Sequence, residues 1–583
     1  MMWARARLLL LVCAGVAVVV ALAVVFSLMS RTLLPPAQGS DPPFPDIEIP
    51  RPVGLDAPIP ANAVFVSNRG EPVADGSAAH PFVSIADAIE AASAGTTIVV
   101  AGGEYHESLH VPAELPDLTI RAAPGETVWL DGSSTPGTPA VAEAGSRWRF
   151  TGAAPDLDRS PTYRRGAPDG RTEGWRWVSP ERPLAADPAQ VWLAGRPLRQ
   201  VSPAAAVEPG TFAINGGDVI VGDDPTGRDV RIGRLSHAVV VNAARTHVEG
   251  IGMRRYVPSV PDFGAVVLDG VDTTMSHVVV ADSSTTGVSV QSERVTLREV
   301  AVVRAGMLGV HAHQAHDLLI EGGLYTHNNS RGFNMAPTAG GIKITASANV
   351  TARGATIADN LGTGLWLDEA VTRAHVLRVR ASGNSLHGLL VELSADVDIA
   401  ACVFEDNDGS GIRVQNSSGI RVWNVTSRGN ARAVDFVQDG RVAGSAGAPE
   451  VPDDPRIPPM PWVIGDSEVV NTVLGPSTGD ADLAVQDFRG RLDANDVGIE
   501  LRSNLYVRAA DGSPRWTHVW SRPNDDPRVY TSLEAFHEEV GQDRDSALST
   551  EDDGAARPQG ALVPADLGSD AGLPRRPRIG APS

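Results

Sequence analysis

Apolar and polar residues alternate in short runs that recur through the middle of the chain every 23 or 24 residues. Alternation of this kind predicts β-strands with one buried face, and a glycine opens almost every run. Asparagine recurs in phase just before the runs, where it can adopt turn conformations or stack in hydrogen-bonded ladders. The most regular runs are residues 341–345, 364–368, 388–392 and 411–415, and the asparagines are Asn360, Asn384, Asn407 and Asn430.

Each period also contains a second run rich in β-branched residues. Short strands, glycine and asparagine turns and a period near 23 together predict an all-β fold, a right-handed parallel β-helix in which successive coils stack their strands into parallel sheets. A leucine-rich repeat has a similar period, but the leucine and helix signals that it needs are absent. We place the main coils at residues 237–480.

The segment before the main coils, residues 61–144, predicts a cap and the first coils of the solenoid. Residues 81–92 have the pattern of an amphipathic helix, with Ser84 as N-cap, Asp87 at the third helical position and Gly95 as the stop signal. A repeat stack needs its open end covered, and this helix would cover it.

An insertion interrupts the period at residues 145–236. It contains a hairpin signal at residues 213–221, where two apolar runs flank Asn-Gly-Gly, so it predicts a β-rich subdomain packed on the side of the solenoid. Four of the eleven tryptophans of the chain lie in this insertion: Trp148, Trp175, Trp177 and Trp192.

The C-terminal part of the chain has a weaker pattern, and the coils are predicted to loosen after about residue 440. Residues 481–545 predict further strands and a short helix that begins with a capping box of Thr531 and Glu534. Residues 546–583 are rich in Asp, Pro and Gly, a composition that predicts a disordered tail.

The N-terminus carries an uncharged, mostly apolar stretch at residues 8–29, long enough to span a bilayer. It exceeds the apolar region of a usual signal peptide, and no small-residue cleavage site follows it. We therefore predict that residues 1–32 form a cytoplasmic stub and a transmembrane signal anchor, followed by a Pro-rich linker at residues 33–60, with the rest of the chain outside the cytoplasm. Cleavage of the stretch and secretion of the protein is the alternative.

Composition narrows the classes of function. The net charge is −21, which argues against binding to nucleic acid because no basic surface is available for phosphates. Cys13 and Cys402 are the only cysteines; Cys13 lies in the N-terminal apolar stretch, so no disulfide is expected. Lys343 is the only lysine among 49 basic residues, which suggests a position where the planar guanidinium of arginine cannot replace a compact ammonium.

Lys343 lies in one of two columns of side chains that the strand register points outward. The apolar residues of the four regular runs point inward, and their neighbours stack on the outer face of one sheet. The predicted columns are Lys343–Trp366–Leu390–Arg413 and Thr345–Asp368–Glu392–Gln415, with His311 and His313 extending them one coil earlier.

Asp368 and Glu392 occupy the same outward position in adjacent coils, which are about 4.8 Å apart. Their carboxyl groups should lie roughly 5 Å apart, the separation used by retaining glycosidases. Two adjacent carboxylates resist joint ionisation, so the pair would share one proton and supply one acid and one nucleophile. Trp366 would offer a flat face to a sugar ring, and Lys343 would hold a substrate hydroxyl or stabilise the ionised nucleophile.

A longer turn precedes the Lys343 strand. From Asn329 to Gly341 this turn exceeds the equivalent turns by eight residues. Its residues 330–340 would overhang the same face, where solenoids place binding loops. We therefore predict substrate contacts from this turn and from neighbouring polar side chains, with no metal or cofactor. The predicted substrate-binding residues are Lys343, Trp366, His387, Arg413, His311, His313 and Asn334.

The run Gly-Leu-Trp-Leu-Asp at residues 364–368, followed one coil later by Leu-Leu-Val-Glu at 389–392, resembles a motif of right-handed β-helix β-xylosidases, glycoside hydrolase family 120. The resemblance covers about 40 residues and implies that Asp368 is the nucleophile and Glu392 the acid/base. Glu369 and Ala370 depart from the bulkier residues expected after the Asp, so xylose specificity does not transfer. The chain as a whole is similar to actinobacterial-type β-helix repeat proteins of no assigned activity.

Two other classes of function remain open. A polysaccharide lyase or epimerase would use Lys343 as base, with calcium held by Asp368 and Glu392. A non-catalytic β-helix would bind a glycan or a partner, since the fold alone does not imply chemistry. The sequence favours a carbohydrate-active enzyme that acts on a polysaccharide or oligosaccharide as a retaining glycoside hydrolase.

Overall fold

The computed structural model describes residues 47–69, 74–143, 145–158, 177–445, 450–524 and 527–550. Most of its strands fall into three sheets of 13 strands, and neighbouring strands in each sheet come from successive turns of the chain and run parallel, except for one antiparallel pair at the end. A chain that adds one strand to each of three sheets per turn is a parallel β-helix. The predicted fold class is therefore confirmed.

The first sheet receives the second strand of each regular period. Its strands are β1 (Val64–Val66), β2 (Thr97–Val100), β5 (Thr119–Ala122), β17 (His247–Glu249), β20 (Thr274–Ser276), β23 (Thr296–Arg298), β26 (Leu319–Glu321), β29 (Thr351–Arg353), β32 (Thr372–Leu377), β35 (Ala395–Ala400), β38 (Ser418–Trp423), β41 (Ser467–Val470) and β44 (Ile499–Arg502).

The second sheet contains the four regular runs of the sequence. Its strands are β4 (Leu109–Val111), β16 (Val239–Val241), β19 (Val266–Leu268), β22 (Val288–Val290), β25 (Leu308–His313), β28 (Gly340–Thr345), β31 (Thr363–Asp368), β34 (Leu389–Glu392), β37 (Ser410–Gln415), β40 (Arg432–Gln438), β43 (Ala481–Asp487), β46 (Trp516–Trp520) and β47 (Arg528–Tyr530).

The third sheet closes each coil with a short strand. Its strands are β3 (Gly103–Tyr105), β6 (Val128–Asp131), β18 (Ile251–Arg254), β21 (Val279–Ala281), β24 (Ala301–Val303), β27 (Leu324–Thr326), β30 (Thr356–Ala358), β33 (Arg380–Ser382), β36 (Val403–Glu405), β39 (Thr426–Arg428), β42 (Val473–Leu474), β45 (Leu505–Arg508) and β48 (Ala547–Thr550).

One continuous apolar core fills the space between the three sheets. The apolar residues of the regular runs that were predicted to point inward all belong to this core, because alternate residues of a strand face opposite sides. They are Ile342, Ile344, Leu365, Leu367, Leu389, Val391, Ile412 and Val414.

A ladder of buried asparagines runs along the solenoid at the turn before the second sheet. The side-chain amide of Asn360 donates to Asn384 and that of Asn384 donates to Asn407, each over 2.9 Å. Asn328 precedes this ladder and Asn430 ends it. The left-handed turn residues are not these asparagines but residues just before them, such as Asp359 and Asp406. The predicted ladder is present, and its backbone amides are satisfied by the side chains of the next coil.

A short helix, α1 (Ile85–Glu90), lies at the first end of the solenoid. The Ser84 hydroxyl accepts a hydrogen bond from the Asp87 backbone amide, as the N-cap pattern predicts. The helix is shorter than the predicted 81–92. Its last residue is Glu90, and Ala91 is the C-cap, before Gly95. Its buried residues Ile85, Ala88 and Ile89 join the main core.

The insertion begins earlier than the sequence indicated, at Ser133 rather than at residue 145, because its first strand has only two residues and no alternating pattern. Its two small, mainly antiparallel sheets include the predicted hairpin, in which Phe212 pairs with Val221. Its strands are β7 (Ser133–Ser134), β8 (Val141–Glu143), β9 (Arg147–Phe150), β10 (Val191–Leu193), β11 (Arg196–Pro197), β12 (Arg199–Gln200), β13 (Thr211–Asn215), β14 (Asp218–Val221) and β15 (Val230–Gly233).

The predicted C-terminal boundaries are wrong. Coils continue past residue 480 to β48, so a disordered tail from residue 546 is incorrect for Ala547–Thr550. A long connection between β40 and β41 interrupts the period, so the sequence pattern did not indicate the later coils. The helix α2 (Leu533–Val540) is capped by Ser532, whose hydroxyl accepts from the Ala535 amide, and not by Thr531.

Within the described part of the chain, no helix has both the length and the apolar character needed to cross a membrane. The predicted anchor at residues 8–29, Cys13, residues 33–46 of the Pro-rich linker and Trp175 lie outside the described residues.

Asp482 in β43 is a fully buried carboxyl, and neither of its oxygens has a hydrogen-bond partner of good geometry among the described residues. Burial raises the pKa of Asp482 to about 8, and nearby Ser477 and Arg508 offset only part of this effect. The folded protein then holds a proton that the unfolded chain loses near pH 4, so the free energy of unfolding should fall as the pH rises from about 4 to 8.

We expect Asp482→Asn to remove this pH dependence. The neutral amide has no charge to desolvate, so at pH 9 the free energy of unfolding of the variant should exceed that of the unaltered protein by up to about 6 kcal/mol, and near pH 4.5 the difference should be small. Thermal unfolding at the two pH values measures the difference. An equal effect of the substitution at both pH values would contradict it.

Candidate active site

The outward columns of the second sheet have the predicted register. Lys343 pairs with Trp366, Trp366 with Leu390 and Leu390 with Arg413, while Thr345 pairs with Asp368 and Glu392 with Gln415. His311 and His313 lie opposite Lys343 and Thr345 one coil earlier. Asp368 and Glu392 are the last residues of β31 and β34, so the two carboxyl groups lie at equivalent ends of adjacent strands.

The outward face around Lys343 and the two carboxyl groups is covered. The exposed fractions of Lys343, Trp366, Asp368 and Glu392 are between 5 and 7%. Strand alternation predicted that these side chains point away from the core, but it contains no information on the segments that pack over them. The charged groups are therefore partly desolvated, and each needs a specific partner.

Lys343 has three partners at its ammonium group. Its Nζ lies 2.8 Å from Asp368 Oδ2, donates to the Pro337 carbonyl over 2.7 Å and stands 3.6 Å from the centre of the Trp366 ring. A compact ammonium can meet an acid, a carbonyl and a ring face from one point, which a planar guanidinium cannot. One face of the Trp366 ring is thus occupied by Lys343 in this structure, and the contact of Trp366 with a sugar stays a prediction.

Glu392 is held from two sides. Its Oε2 accepts a hydrogen bond from Trp366 Nε1 over 3.1 Å, and its Oε1 accepts one from Arg441. Burial and the negative charge of Asp368 raise the pKa of Glu392 to about 7, although Arg441 and Lys343 act in the opposite direction. Glu392 is therefore able to take up and release a proton near neutral pH, as a general acid/base must.

Asp368 has a different environment from Glu392. Besides its ion pair with Lys343, its Oδ1 accepts a hydrogen bond from the Glu369 backbone amide over 2.8 Å. Two carboxyl groups at neighbouring positions thus have unlike partners, an ammonium and an amide for one and an indole and a guanidinium for the other. Such unlike environments are the usual way in which paired carboxyl groups acquire separate roles.

Arg441 is a site residue that the strand pattern did not reveal. It belongs to the connection between β40 and β41, and we call the described residues 439–445 and 450–464 of this connection the strap. The equivalent connection from β37 to β38 has only two residues. Ile457, Met460 and Trp462 of the strap pack against the outer face beside the site. The length of this connection, which had been interpreted as loosening of the coils, is the signal that could have located Arg441.

The turn of residues 330–340 lies over Lys343 through Pro337, and the insertion holds this turn in place. Arg331 is half-buried and donates to the backbone carbonyls of Ala189, Leu184 and Asp187 of the insertion. The backbone amide of Asn334 donates to the Trp177 carbonyl over 2.8 Å. The structure thus ties Asn334 to the insertion by its backbone.

Two other predicted site residues, His387 and Arg413, have their partners away from the carboxyl pair. The His387 Nδ1 accepts a hydrogen bond from the Ser410 amide, and burial and Arg413 hold the pKa of His387 well below its usual range. Arg413 pairs with Asp435 over 2.9 Å and donates to Gln415. Both serve the turn and the next coils in this structure, and neither contacts Asp368 or Glu392.

The two histidines before Lys343 form a small ring pair. The rings of His311 and His313 are nearly parallel, with centres 6.5 Å apart, and His313 shares a hydrogen bond with the Thr345 hydroxyl. Burial and the Lys343 charge lower the pKa of His311 to about 4, so it is neutral at physiological pH. A neutral imidazole beside the ammonium can offer a hydrogen bond to a ligand without adding charge.

The carboxyl pair does not fit the calcium site of the alternative lyase interpretation. Asp368 and Glu392 already have Lys343 and Arg441 as charged partners, whereas calcium takes six to eight oxygen ligands. Within the described residues, no group of three or more His, Cys, Asp or Glu side chains is arranged to hold a metal ion.

Comparison with known proteins bears on the fold. A family model described as right handed beta helix region matches residues 264–443. The chain folds as a right-handed parallel β-helix. No curated protein sequence matches it.

Solved structures similar to this β-helix protein include XylC in complex with xylose, with 14% identity, a TM-score of 0.60 and coverage of 84% of this chain and 86% of the other. They also include the periplasmic alginate epimerase AlgG, with 11% identity, a TM-score of 0.33 and coverage of 54 and 69%. Pectate lyase Pel9A matches with 10% identity, a TM-score of 0.29 and coverage of 76 and 79%. At 14% identity the likeness to XylC shows the fold and not the chemistry.

Proposed function

We propose that this protein is a carbohydrate-active enzyme, a retaining glycoside hydrolase with Asp368 as nucleophile and Glu392 as acid/base. The observation that carries the proposal is the pair of carboxyl groups at equivalent strand ends of adjacent coils, joined through Lys343 and Trp366. The solved β-helix structure with bound xylose supports a saccharide as the substrate class. The order of the two roles rests on the family resemblance and is consistent with the raised pKa of Glu392.

The reaction proceeds in two displacements. Protonated Glu392 donates its proton to the glycosidic oxygen while the Asp368 carboxylate attacks the anomeric carbon and the bond to the leaving group breaks. Ionised Glu392 then removes a proton from water, whose oxygen attacks the same carbon and releases Asp368. Two inversions return the original configuration. A proton released near pH 7 suits a group that must act as acid and then as base.

Lys343 connects substrate binding to this chemistry. In the structure its ammonium bonds both Asp368 and the Pro337 carbonyl. We expect a sugar hydroxyl to replace the Pro337 carbonyl when substrate binds, because the ammonium then keeps its number of hydrogen bonds. The ion pair with Asp368 would fix the position of the hydroxyl relative to the nucleophile.

The test is a panel of saccharides: xylo-oligosaccharides, soluble xylan, pectin, alginate and bacterial wall glycan. New reducing ends, formed with retention of anomeric configuration by proton NMR, support the proposal. Unsaturated uronates would instead indicate a lyase. Binding without any new reducing ends would indicate a non-catalytic glycan-binding β-helix.

We also propose that the protein acts outside the cytoplasm, held to the membrane by residues 8–29. The support is the apolar stretch itself and the absence of a cleavage site after it. Fractionation of cells and sequencing of the mature N-terminus test this. A mature protein that begins near residue 33 in the culture medium would show secretion instead.

Lys343→Arg should lower kcat/KM by roughly 10- to 100-fold although it keeps the positive charge. The guanidinium is larger and directional, so it cannot hold Asp368 while remaining over the Trp366 ring and beneath Pro337. Initial rates on the saccharide identified by the panel measure the effect. Arg353→Lys, a charge-conserving change on the first sheet, is the matched control and should leave the rates unchanged.

A further inference from the structure

The strap and the carboxyl pair are connected at one point, Arg441. Its side chain extends from the strap to Glu392 Oε1 on β34, and the two residues are 49 positions apart in the sequence. On its other side the guanidinium is bound to Asp439, with Nε 2.9 Å and the second nitrogen 2.6 Å from Asp439 Oδ2. An arginine fixed on one carboxylate presents its remaining donors in a defined direction.

Asp439 is itself held by the coil beneath the strap. Gln415 donates to its Oδ2 over 2.9 Å and Asn416 to its Oδ1 over 2.8 Å. Gln415 belongs to the same outward column as Glu392, one coil further on. The geometry therefore joins Glu392, Arg441, Asp439 and the next coil in one continuous set of hydrogen bonds.

The strap is anchored at both ends, so Arg441 does not depend on a free loop. The Gln438 side chain donates to the Trp462 carbonyl and accepts from the Ile464 amide, which clasps the two ends together. Trp462 is buried against Leu393, the residue that follows Glu392. Packing of the strap thus fixes its own position relative to β34.

We propose that Arg441 is a positioning residue for Glu392: the strap carries its guanidinium to the carboxyl, where it fixes the orientation of the carboxyl beside Trp366 and favours its ionised form. The inference rests on the proposed function, in which Glu392 must give and take a proton in each cycle. An anion stabiliser lets Glu392 release its proton in the first step, and the base of the second step is then already oriented.

Several charges act on Glu392, and their effects oppose one another. Asp368 on β31 favours the protonated form, while Lys343 on β28 and Arg441 on the strap favour the ionised form. Arg413 on β37 is directed to Asp435, and Asp439 is neutralised by Arg441 itself. Arg441 is the only cation among the described residues in direct contact with Glu392, so its removal should shift the equilibrium towards the protonated form.

The experiment is an infrared titration of the carboxyl band from pH 5 to 9 on the whole protein, with Glu392→Gln as the reference that assigns the band. Subtraction of this reference also removes Asp482, which both proteins contain. Arg441→Gln should raise the midpoint of Glu392 by about one pH unit or more, since an adjacent cation commonly has an effect of this size. Arg441→Lys keeps the charge, so its midpoint should lie close to that of the unaltered protein.

Arg432→Gln is the matched control, an arginine of the same sheet that pairs with Asp435 and Asp480 and should leave the midpoint of Glu392 unchanged. An equal midpoint in the unaltered protein and Arg441→Gln would overturn the proposal. Arg441→Gln should be folded at pH 6, where Glu392 is protonated and needs no cation, and thermal unfolding at this pH checks it.

The same variants distinguish this inference from the proposed function. If saccharides are hydrolysed, Arg441→Gln should move the alkaline limb of kcat/KM to higher pH by the same amount as the midpoint. Loss of a merely structural residue would lower the rate equally at every pH. If the panel shows no hydrolysis, the glycosidase proposal fails, and the infrared titration still decides whether Arg441 controls Glu392.

Discussion

Asp368→Asn is expected to lower kcat by at least about 1000-fold on the saccharide that the panel identifies, because the amide cannot form the covalent intermediate. The side chain keeps its size and its hydrogen bond from the Glu369 amide, so substrate binding should change little. Steady-state rates and the binding constant of the substrate measure the two effects separately. Activity within a few-fold of the unaltered protein would exclude Asp368 as nucleophile.

The same substitution should also lower the stability of the fold. Removal of the Asp368 charge leaves the Lys343 ammonium beneath Pro337 without its anion, at a cost of about 3 kcal/mol. Asp435→Asn is the matched control. Asp435 is another buried carboxyl of the second sheet, paired with Arg413 and Arg432, so its loss should lower the melting temperature while kcat is retained.

Glu392→Gln is expected to lower kcat/KM by roughly 10²- to 10⁴-fold for substrates with a poor leaving group, and much less for aryl glycosides whose leaving group needs no proton. In the unaltered protein the alkaline limb should lie near pH 7, because Glu392 must be protonated to act as the acid and its pKa is about 7. Activity therefore falls as the pH rises through 7. The variant should lack this limb.

A small anion tests the second half of this prediction. Azide needs no general base, so it should accelerate the Glu392→Gln variant on aryl glycosides and yield a glycosyl azide of retained configuration. Azide should not rescue Asp368→Asn in the same way, because that variant lacks the covalent intermediate. Equal losses on poor and good leaving groups would show that Glu392 has another role.

The local pattern of the sequence was sufficient for the fold and for the two columns. A strand alternates with a period of two, and a coil repeats every 23 or 24 residues, so each outward residue has a defined neighbour in the next coil. For this reason the pairing of Lys343 with Trp366 and of Thr345 with Asp368 could be read directly from the runs. The sequence pattern did not reveal how far the coils continue towards the C-terminus, because the strap interrupts the period before the last coils.

What the sequence by itself determined was which residues share a face; which groups cover that face was decided by the tertiary structure. Pro337 and Arg441 reach the carboxyl pair from segments outside the repeat, and no spacing rule places such segments. Asp368 and Glu392 are buried where these segments pack, and burial raises the pKa of Glu392, while the charge of Arg441 offsets part of this effect. Desolvation and ion pairing depend on distances between segments that are far apart in the sequence. A periodic sequence constrains only the distances between its repeats.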